Sequence, residues 1–205
     1  MSRLTAYNHI LDLNLLPDNP TIIDAGANVG GYIDKLLSWG IQGKIFGIEC
    51  SKTNYNKLLK RVKNENIEYI EAALGDVVGS ATFTEFIGPM KNDGNHRYHQ
   101  WGNIDGYLVG EIEGEVKVKK YSVPVTTLEE IIENFNLNQI DFLKMDIESG
   151  EYCVVDSMTQ ELANKITQIS METHIPKKNP SLIKKLMDLG YTIEEHKGME
   201  IYAYR

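Results

Sequence analysis

The sequence predicts an α/β fold with a mostly parallel sheet of about seven strands, an antiparallel strand near the C-terminus, and helices on both faces. The main observation is that short β-branched runs alternate with segments whose apolar residues recur at helical spacing. A hydrophobic content of 42% and a charged content of 24% over 205 residues are typical of one globular domain, residues 1–205.

The first half of the chain contains three strands joined by two helices. Apolar and β-branched runs follow the breaker Pro20 and later turns, and they predict strands at residues 21–24, 44–49 and 67–70. Between them, apolar residues repeat every three or four positions, which predicts helices at 30–39 and 55–62. Because each helix connects two strands of one sheet, these strands should be parallel, with right-handed crossovers.

An insertion at residues 76–125 interrupts this alternation. Its two ends, 80–86 and 117–125, have the pattern of strands and predict a β-hairpin. Residues 88–114 are rich in Gly, Asn and His, with few apolar residues in register, so we expect a long loop there. Because the insertion follows the carboxyl end of the third strand, it is expected to act as a lid or a substrate-binding segment.

Regular alternation returns after the insertion. Strands are predicted at residues 140–145, 166–171, 191–194 and 200–204. Thr126 and Glu129 have the spacing of a capping box that opens a helix, and a further helix is expected at 150–158. Asn179 is predicted to cap a helix that begins at Pro180. A tight turn at 197–198 would make the last two strands antiparallel.

Composition argues against several classes of protein. The chain has 29 acidic and 21 basic residues and a net charge of −8, which disfavours nucleic acid as a partner. Its two cysteines, Cys50 and Cys153, lack the spacing of a disulfide framework or a zinc site, so a reducing, cytoplasmic location is expected. No signal peptide or bilayer-length apolar stretch is visible, so no membrane partner is expected. Nothing in the sequence indicates an oligomeric state.

The first predicted strand ends in an acid and a glycine-rich turn. Asp24 is followed by Gly26, Asn28 and Gly30, and glycines allow the backbone to turn sharply and approach a ligand. The third glycine of the dinucleotide motif G-x-G-x-x-G is missing, and an acid beside a pyrophosphate has the wrong charge. A ligand with cationic groups, such as S-adenosylmethionine, suits Asp24 better.

Two further strand ends supply residues suited to a nucleoside. Glu49, with Ser51 beside it, ends the second strand, where a carboxylate can accept hydrogen bonds from both ribose hydroxyls. After the third strand, Ala73 and Leu74 can line an adenine slot, and Asp76 can accept from the exocyclic amine. Each acid alone is more simply explained as a cap or a solvated turn residue. Three acids at consecutive strand ends favour a binding site.

The sequence resembles the FkbM-type S-adenosylmethionine-dependent methyltransferases. The similar stretches run from Ile22 to His174 in the order IIDAGANVGGY, FGIECSKTNYNKL, AALGD, VPVTTLEEI, IDFLKMDIESGEY and ISMETH. Cys50 replaces a common proline of the family, and Ser149-Gly150 replaces a pair of small residues. The resemblance implies a class I, Rossmann-like methyltransferase fold. It also implies S-adenosylmethionine as cofactor, with methyl transfer to a hydroxyl of a sugar or glycan, a polyketide or a similar small metabolite. The cofactor contacts that it implies are Asp24, Gly26, Asn28, Gly30, Glu49 and Asp76.

A second polar group follows the fourth and fifth parallel strands. Asp146 and Glu148 would point the same way in extended backbone, and Glu172 and His174 repeat this spacing. His174, Asp146 or Glu148 could take the proton of an alcohol, and we assign this role to His174 or Asp146. Asp146 is also a candidate cofactor contact. Lys144 could reach the same rim as a catalytic residue or compensate its charge.

Alternatives remain for the metal, the substrate contacts and the function. Asp146, Glu148 and Glu172 could hold a divalent cation, but no closely spaced ligand set is evident, so an obligatory metal is not favoured. Four residues of the insertion could bind the substrate by stacking and hydrogen bonds or could belong to an exposed loop: His96, Arg97, His99 and Trp101. The alternative function is a non-catalytic module that binds a nucleoside or a partner.

Overall fold

The computed structural model describes residues 2–89, 98–103, 117–196 and 199–205, and within them the chain forms three sheets. The strands are β1 (Arg3–Ala6), β2 (His9–Asp12), β3 (Thr21–Ala25), β4 (Lys44–Ile48), β5 (Ile67–Ile70), β6 (Ala73–Leu74), β7 (Gly79–Pro89), β8 (Tyr98–Asn103), β9 (Lys117–Thr126), β10 (Phe142–Met145), β11 (Gln168–Glu172), β12 (Thr192–His196) and β13 (Glu200–Tyr204). The helices are α1 (Gly31–Ser38), α2 (Lys52–Arg61), α3 (Leu128–Asn134), α4 (Glu151–Ser157), α5 (Gln160–Ala163) and α6 (Asn179–Asp188).

The central sheet has seven strands in the order β12-β13-β11-β10-β3-β4-β5. The pairs from β11 to β5 are parallel, whereas β13 pairs antiparallel with both β11 and β12. The predicted seven-stranded, mostly parallel sheet with an antiparallel strand is therefore confirmed. All the parallel strands end at one rim, which is where ligands bind in open sheets of this kind.

Helices cover both faces of this sheet because its strands are apolar on both sides. On β3, Ile22 packs in a cluster that contains Leu36 of α1 and Leu58 of α2. The next residue, Ile23, packs in a second cluster with residues of α3, α4 and α6. This alternation follows from the period of two along a strand, and it confirms the predicted layers.

A hairpin at the N-terminus was not predicted. Its strands β1 and β2 are joined by Tyr7 and Asn8, both with positive φ, as in a type I′ turn. This turn lacks the glycine that usually marks it in a sequence. The hairpin is fixed to β11, where the Ile10 amide donates to Ser170 Oγ at 3.1 Å and the Asp12 amide donates to Gln168 Oε1 at 2.9 Å. As a result, the N-terminal segment reaches the edge of the rim.

The three described strands of the insertion join β6 in a four-stranded sheet with the order β6-β9-β7-β8. β7 and β9 pair antiparallel from Gly79↔Val125 to Ile87↔Lys117, which confirms that 80–86 and 117–125 are strands. The expectation of a loop throughout 88–114 is wrong, since β8 lies inside it and pairs with β7. Main-chain hydrogen bonds hold such a strand without an apolar pattern. The candidate substrate residues His99 and Trp101 belong to β8, and His96 and Arg97 lie outside the described residues.

Two predicted helix caps lie at other residues. The α3 cap is Thr127, whose Oγ1 accepts from the Glu130 amide at 3.2 Å, and not Thr126 with Glu129. The reason is that β9 continues through Thr126, which pairs with β6. Asn179 is the first residue of α6, with no capping hydrogen bond at this end, and its Oδ1 accepts from the Tyr152 hydroxyl at 2.9 Å.

Replacing Thr127 with alanine is expected to lower the free energy of unfolding by about 1–2 kcal/mol, because the Glu130 amide loses its acceptor. Urea denaturation measures this change. The matched control is alanine at Thr192, an exposed threonine that begins β12; there we expect a change below about 0.5 kcal/mol. Equal effects of the two substitutions would contradict the capping role.

No described helix has both the length and the apolar character that crossing a bilayer requires; the longest of them, α2 and α6, have ten residues each.

Candidate functional site

A cavity of about 520 Å³ lies at the carboxyl ends of the parallel strands. Its volume is in the range of pockets that bind small molecules. Five segments of the main sheet and the insertion line it: the turn after β3, residues 48–54, residues 72–77, part of β7 and residues 146–150. The fold thus brings together the strand ends that were predicted to form one rim. Apolar walls from Phe83 and Val125 of the insertion were not predicted.

The glycine turn after β3 packs directly against the loop after β10. Gly26 has a φ of +73°, and a Cβ at this position would lie 1.9 Å from the backbone oxygen of Asp146. Asn28, with a φ of 51°, also lines the cavity. Gly30 does not line it; there a Cβ would meet Leu58 of α2, so this glycine shapes the turn instead.

Asp24 and Lys144 form an ion pair that lies beneath the cavity. Asp24 is fully buried, its Oδ1 lies 3.0 Å from Lys144 Nζ, and neither side chain lines the cavity. Lys144 also donates to the backbone oxygens of Ala25 and Gly26, at 3.3 and 3.0 Å. The structure therefore places Asp24 beneath the cavity and not on its wall, and a contact between Asp24 and a cationic ligand stays a prediction. The structure does not support the proposed catalytic role of Lys144, since its ammonium group lies beneath the cavity, paired with Asp24 and bound to two backbone oxygens.

Lys144 keeps its charge despite complete burial. Burial lowers the pKa of the ammonium group, but the carboxylates of Asp24 and Asp146 outweigh it, so the pKa lies above its ordinary value. The ion pair therefore has a structural role: it compensates the buried Asp24 charge and fixes the turn through which Gly26 reaches the cavity.

Glu49 is the acid best placed to bind a ligand among those predicted for the cofactor. It lines the cavity, and its two oxygens accept from the Asn28 amide at 2.8 Å and the Ser51 amide at 2.7 Å. Each oxygen keeps a further lone pair for a ligand hydroxyl. Burial raises the pKa of Glu49 to about 7, although both amide hydrogen bonds and the charge of Lys144 lower it.

Ser51 links the cavity to the insertion. It caps α2, lines the cavity, and donates from Oγ to Glu85 Oε1 of β7 at 2.8 Å. The Tyr121 hydroxyl of β9 donates to the same Glu85 oxygen at 3.1 Å. Glu85 is buried and was missed in the sequence because a single acid within a strand pattern carries no local signal. These bonds fix the first part of the insertion to the cavity floor.

The residues predicted to surround adenine lie on one side of the cavity. Ala73 and Leu74 form β6 and line the cavity as a small, buried apolar surface. Asp76 is exposed and also lines it. This arrangement provides an apolar slot with an acceptor at its edge, which suits a flat aromatic ring with an amine substituent.

The loop after β10 is a tight turn that presents acids to the cavity. Glu148 and Ser149 have φ values of 54° and 89°, a backbone conformation that is rare outside glycine. Glu151, at the start of α4, holds the turn by accepting from the Ile147 amide at 2.8 Å and the Ser149 amide at 3.1 Å. The turn places Asp146 and Glu148 on the cavity wall.

His174 lies among three carboxylates behind this wall. Its Nε2 is 3.6 Å from Glu148 Oε2 and 3.8 Å from Asp146 Oδ1, and its Nδ1 is 3.5 Å from Glu151 Oε1. Burial lowers the pKa of His174, but these carboxylates outweigh it and raise the pKa to about 9. The imidazole is therefore protonated at neutral pH, and it does not line the cavity. Both facts argue against the assignment of His174 as the base.

Glu148 combines exposure to the cavity with a perturbed acidity. Burial and the neighbouring acids raise the pKa of Glu148 to about 7, although the positive charge of His174 opposes the shift. Burial and the charges of Asp146, Glu200 and Glu151 raise the pKa of Glu172 above its ordinary value, although His174 lowers it.

The N-terminal hairpin adds a residue that the sequence did not indicate. His9 of β2 is buried, and one of its ring nitrogens lies within 4.8 Å of carboxylate oxygens of both Asp146 and Glu172. Its Nδ1 is 3.3 Å from Ser170 Oγ, and burial lowers the pKa of the ring to about 3. No sequence spacing relates His9 to the rim, because only the pairing of the hairpin with β11 brings it there.

Comparisons with known proteins agree with this geometry. Residues 24–193 match the profile of the Methyltransferase FkbM domain. The chain is also 25% identical over 207 residues to Methyltransferase sdnD of Sordaria araneosa, with 91% of this chain and 79% of that protein aligned.

Solved structures of low sequence identity have the same fold. The crystal structure of Aeropyrum pernix fibrillarin with natively bound S-adenosyl-L-methionine has a TM-score of 0.50 at 14% identity, over 95% of this chain and 69% of that one. Precorrin-6y C5,15-methyltransferase from Geobacter metallireducens also has a TM-score of 0.50, at 13% identity, over 99% of this chain and 94% of that one. At such identities the similarity shows the class I methyltransferase fold alone.

Proposed function

The chain belongs to the FkbM methyltransferase family, and from this premise we propose that it transfers the methyl group of S-adenosylmethionine to a hydroxyl oxygen of a small metabolite such as a sugar or a polyketide. One observation carries the proposal: a single cavity joins the Glu49 carboxylate, which has free lone pairs, to the acidic loop of Asp146 and Glu148. The first feature suits a nucleoside, and the second suits the removal of a proton.

The Glu49 side of the cavity supports the cofactor assignment. Its carboxylate can accept from two ribose hydroxyls, and Ala73 and Leu74 offer a slot for adenine. The fibrillarin structure, which has the same fold, contains S-adenosyl-L-methionine. When bound, this cofactor supplies a methyl group on a positively charged sulfur. The chain's own residues orient the ribose and the base so that the methyl group faces the acceptor.

The loop after β10 supports the assignment of a proton acceptor. As the acceptor oxygen bonds to the methyl carbon, the carbon–sulfur bond breaks and the hydroxyl proton must leave. Glu148 lines the cavity and is 3.6 Å from His174, which holds it through opposite charge. We therefore assign proton removal to Glu148, with His174 as a positioning residue, instead of assigning it to His174 or Asp146.

The acidity of the site favours oxygen over nitrogen as the acceptor atom. A hydroxyl can donate its proton to a carboxylate and still attack through a lone pair. An amine held by Asp146 and Glu148 would instead be stabilised as an ammonium ion, which has no lone pair.

Calorimetric titration with S-adenosylmethionine tests the cofactor site. Glu49→Ala is expected to weaken binding by about 1.5–3 kcal/mol, because charge-assisted hydrogen bonds are lost. The matched control is Glu71→Ala, at an exposed residue just after β5, which should bind normally. Normal binding by Glu49→Ala together with a large drop in melting temperature would show that Glu49 is structural. A folded wild-type chain that does not bind the cofactor would refute the proposed function.

Cofactor affinity is expected to rise between pH 6 and pH 8. The pKa of Glu49 is about 7 because of burial, with Lys144 lowering it and Asp24 raising it, so the carboxylate becomes ionised over this range. The ionised form accepts ribose hydrogen bonds better than the neutral acid. Glu49→Gln should remove most of this pH dependence, as measured by calorimetry in matched buffers. An unchanged dependence would mean that another group controls it.

A further inference from the structure

A group of metal-ligating side chains lies beside the proposed proton acceptor. His9, Asp146 and Glu172 each offer a ligand atom, and the three atoms lie within 4.8 Å of one another. They come from three separate parts of the fold: the N-terminal hairpin, the loop after β10 and the end of β11. A second group with the same spacing consists of Asp146, Glu148 and His174. The two groups share Asp146, which lines the cavity.

His9 is what distinguishes the first group from an ordinary cluster of acids. The residue is 1% exposed, and its Nε2 is buried with no hydrogen-bond partner among the described residues. Buried polar atoms are almost always paired, so this nitrogen needs a ligand. Its Nδ1 lies 3.3 Å from Ser170 Oγ. A hydrogen bond at that position orients the ring and leaves Nε2 for a metal, as is usual for histidine ligands.

Acidic side chains outnumber basic ones around this group, since in the described part of the chain Asp146, Glu148, Glu151, Glu172 and Glu200 face only Lys144 and His174. Glu172 and Glu200 are directly opposite in the register of β11 and β13, a placement in which like charges repel. Glu200 Oε2 is also buried, without a hydrogen-bond partner among the residues that the structure describes. Lys144 is already paired with Asp24 and donates to two backbone oxygens of the glycine turn.

We propose that His9, Asp146 and Glu172 bind one divalent cation at the wall of the cavity. The mixed set of one imidazole and two carboxylates suits Mn²⁺ or a similar cation better than it suits Ca²⁺, which prefers oxygen ligands alone. Glu148 remains free to accept the proton, with His174 positioning it. The use of the ion rests on the proposed function: a cation bound to Asp146 polarises the acceptor hydroxyl and lowers the pKa of its proton.

Mn²⁺ binding to the full chain tests the site without cofactor or acceptor. The protein is first treated with EDTA and desalted, and free Mn²⁺ is then titrated by electron paramagnetic resonance. We expect one Mn²⁺ per chain in the wild type and at least about tenfold weaker binding in His9→Gln and Glu172→Gln. Glu161→Gln, at an exposed residue of α5, is the matched control and should bind normally. Glu172→Gln leaves the buried His9 imidazole in place. It therefore tests the metal site even if the His9→Gln variant does not fold.

Glu148→Gln distinguishes the two groups that share Asp146. Retention of Mn²⁺ binding in Glu148→Gln supports the site at His9. Loss of binding in Glu148→Gln with normal binding in both His9→Gln and Glu172→Gln overturns the proposal, as does a folded wild type that binds no Mn²⁺ at 1 mM. Cofactor binding is measured separately in EDTA. Failure of the metal site and failure of the proposed function therefore give different results.

Discussion

Substitution of Glu148 with glutamine is expected to reduce kcat by about 10²–10⁴-fold, the usual contribution of a positioned proton acceptor. Glutamine keeps the shape of the side chain and its place in the turn at φ 54°, but it cannot take a proton. The change should appear mainly in kcat, with a much smaller change in cofactor affinity, since Glu49 and the apolar slot are untouched. Single-turnover transfer of a labelled methyl group measures the chemical step.

Two comparisons make the Glu148 result specific. Glu161→Gln changes an exposed glutamate of α5 to the same residue and should keep wild-type turnover. Asp146→Asn is expected to lower turnover as well, and also Mn²⁺ binding, because Asp146 belongs to both ligand groups. A Glu148→Gln enzyme within threefold of wild-type kcat would rule out Glu148 as the proton acceptor.

Substitution of Lys144 with methionine is expected to destabilise the fold by about 3–5 kcal/mol, the cost of leaving one partner of a buried ion pair alone. Asp24 would remain fully buried without a counter-charge, and the carbonyls of Ala25 and Gly26 would lose a donor. The melting temperature and the urea midpoint report this loss.

A double variant tests the pairing itself. Asp24→Asn with Lys144→Met removes both charges and should be more stable than Lys144→Met alone, since no unpaired ion remains. Lys44→Met, at the exposed first residue of β4, is the control and should change stability by less than about 0.5 kcal/mol. If the stability change of the double variant equals the sum of the changes in Asp24→Asn and Lys144→Met, the two residues do not form a direct ion pair.

The sequence indicated the features of the fold that depend on local pattern. The parallel strands and the glycine turn at Gly26 follow from periodicity and turn chemistry. The structure places Glu49, Asp76 and Asp146 on the cavity wall as expected, whereas Asp24 lies beneath it. The partnership of Asp24 with Lys144 could not be foreseen, because the two are direct neighbours only in the register between β3 and β10. Register between distant strands is not encoded in either strand alone.

The location of His9 beside the rim acids could not be predicted from the sequence for a similar reason. It depends on a two-residue turn without glycine and on hydrogen bonds from the hairpin to Ser170, neither of which leaves a sequence signal. The cap at Thr127 was displaced by one residue because β9 extends to pair with β6, a tertiary contact that overrides the local capping pattern. The errors thus occur where long-range pairing decides between local alternatives.

The hydrogen bonds from Ser51 and Tyr121 to Glu85 limit how the insertion can be exchanged between relatives. Because these bonds attach β7 and β9 to the cavity floor, a chimera that replaces the whole of residues 76–125 would also change part of the cavity wall. Crossover points at Ile87 and Lys117, where the two strands are still paired, keep that wall intact. Recombination at these points leaves the described wall of the cavity unchanged, so any resulting change in acceptor preference would be due to the exchanged residues 88–116.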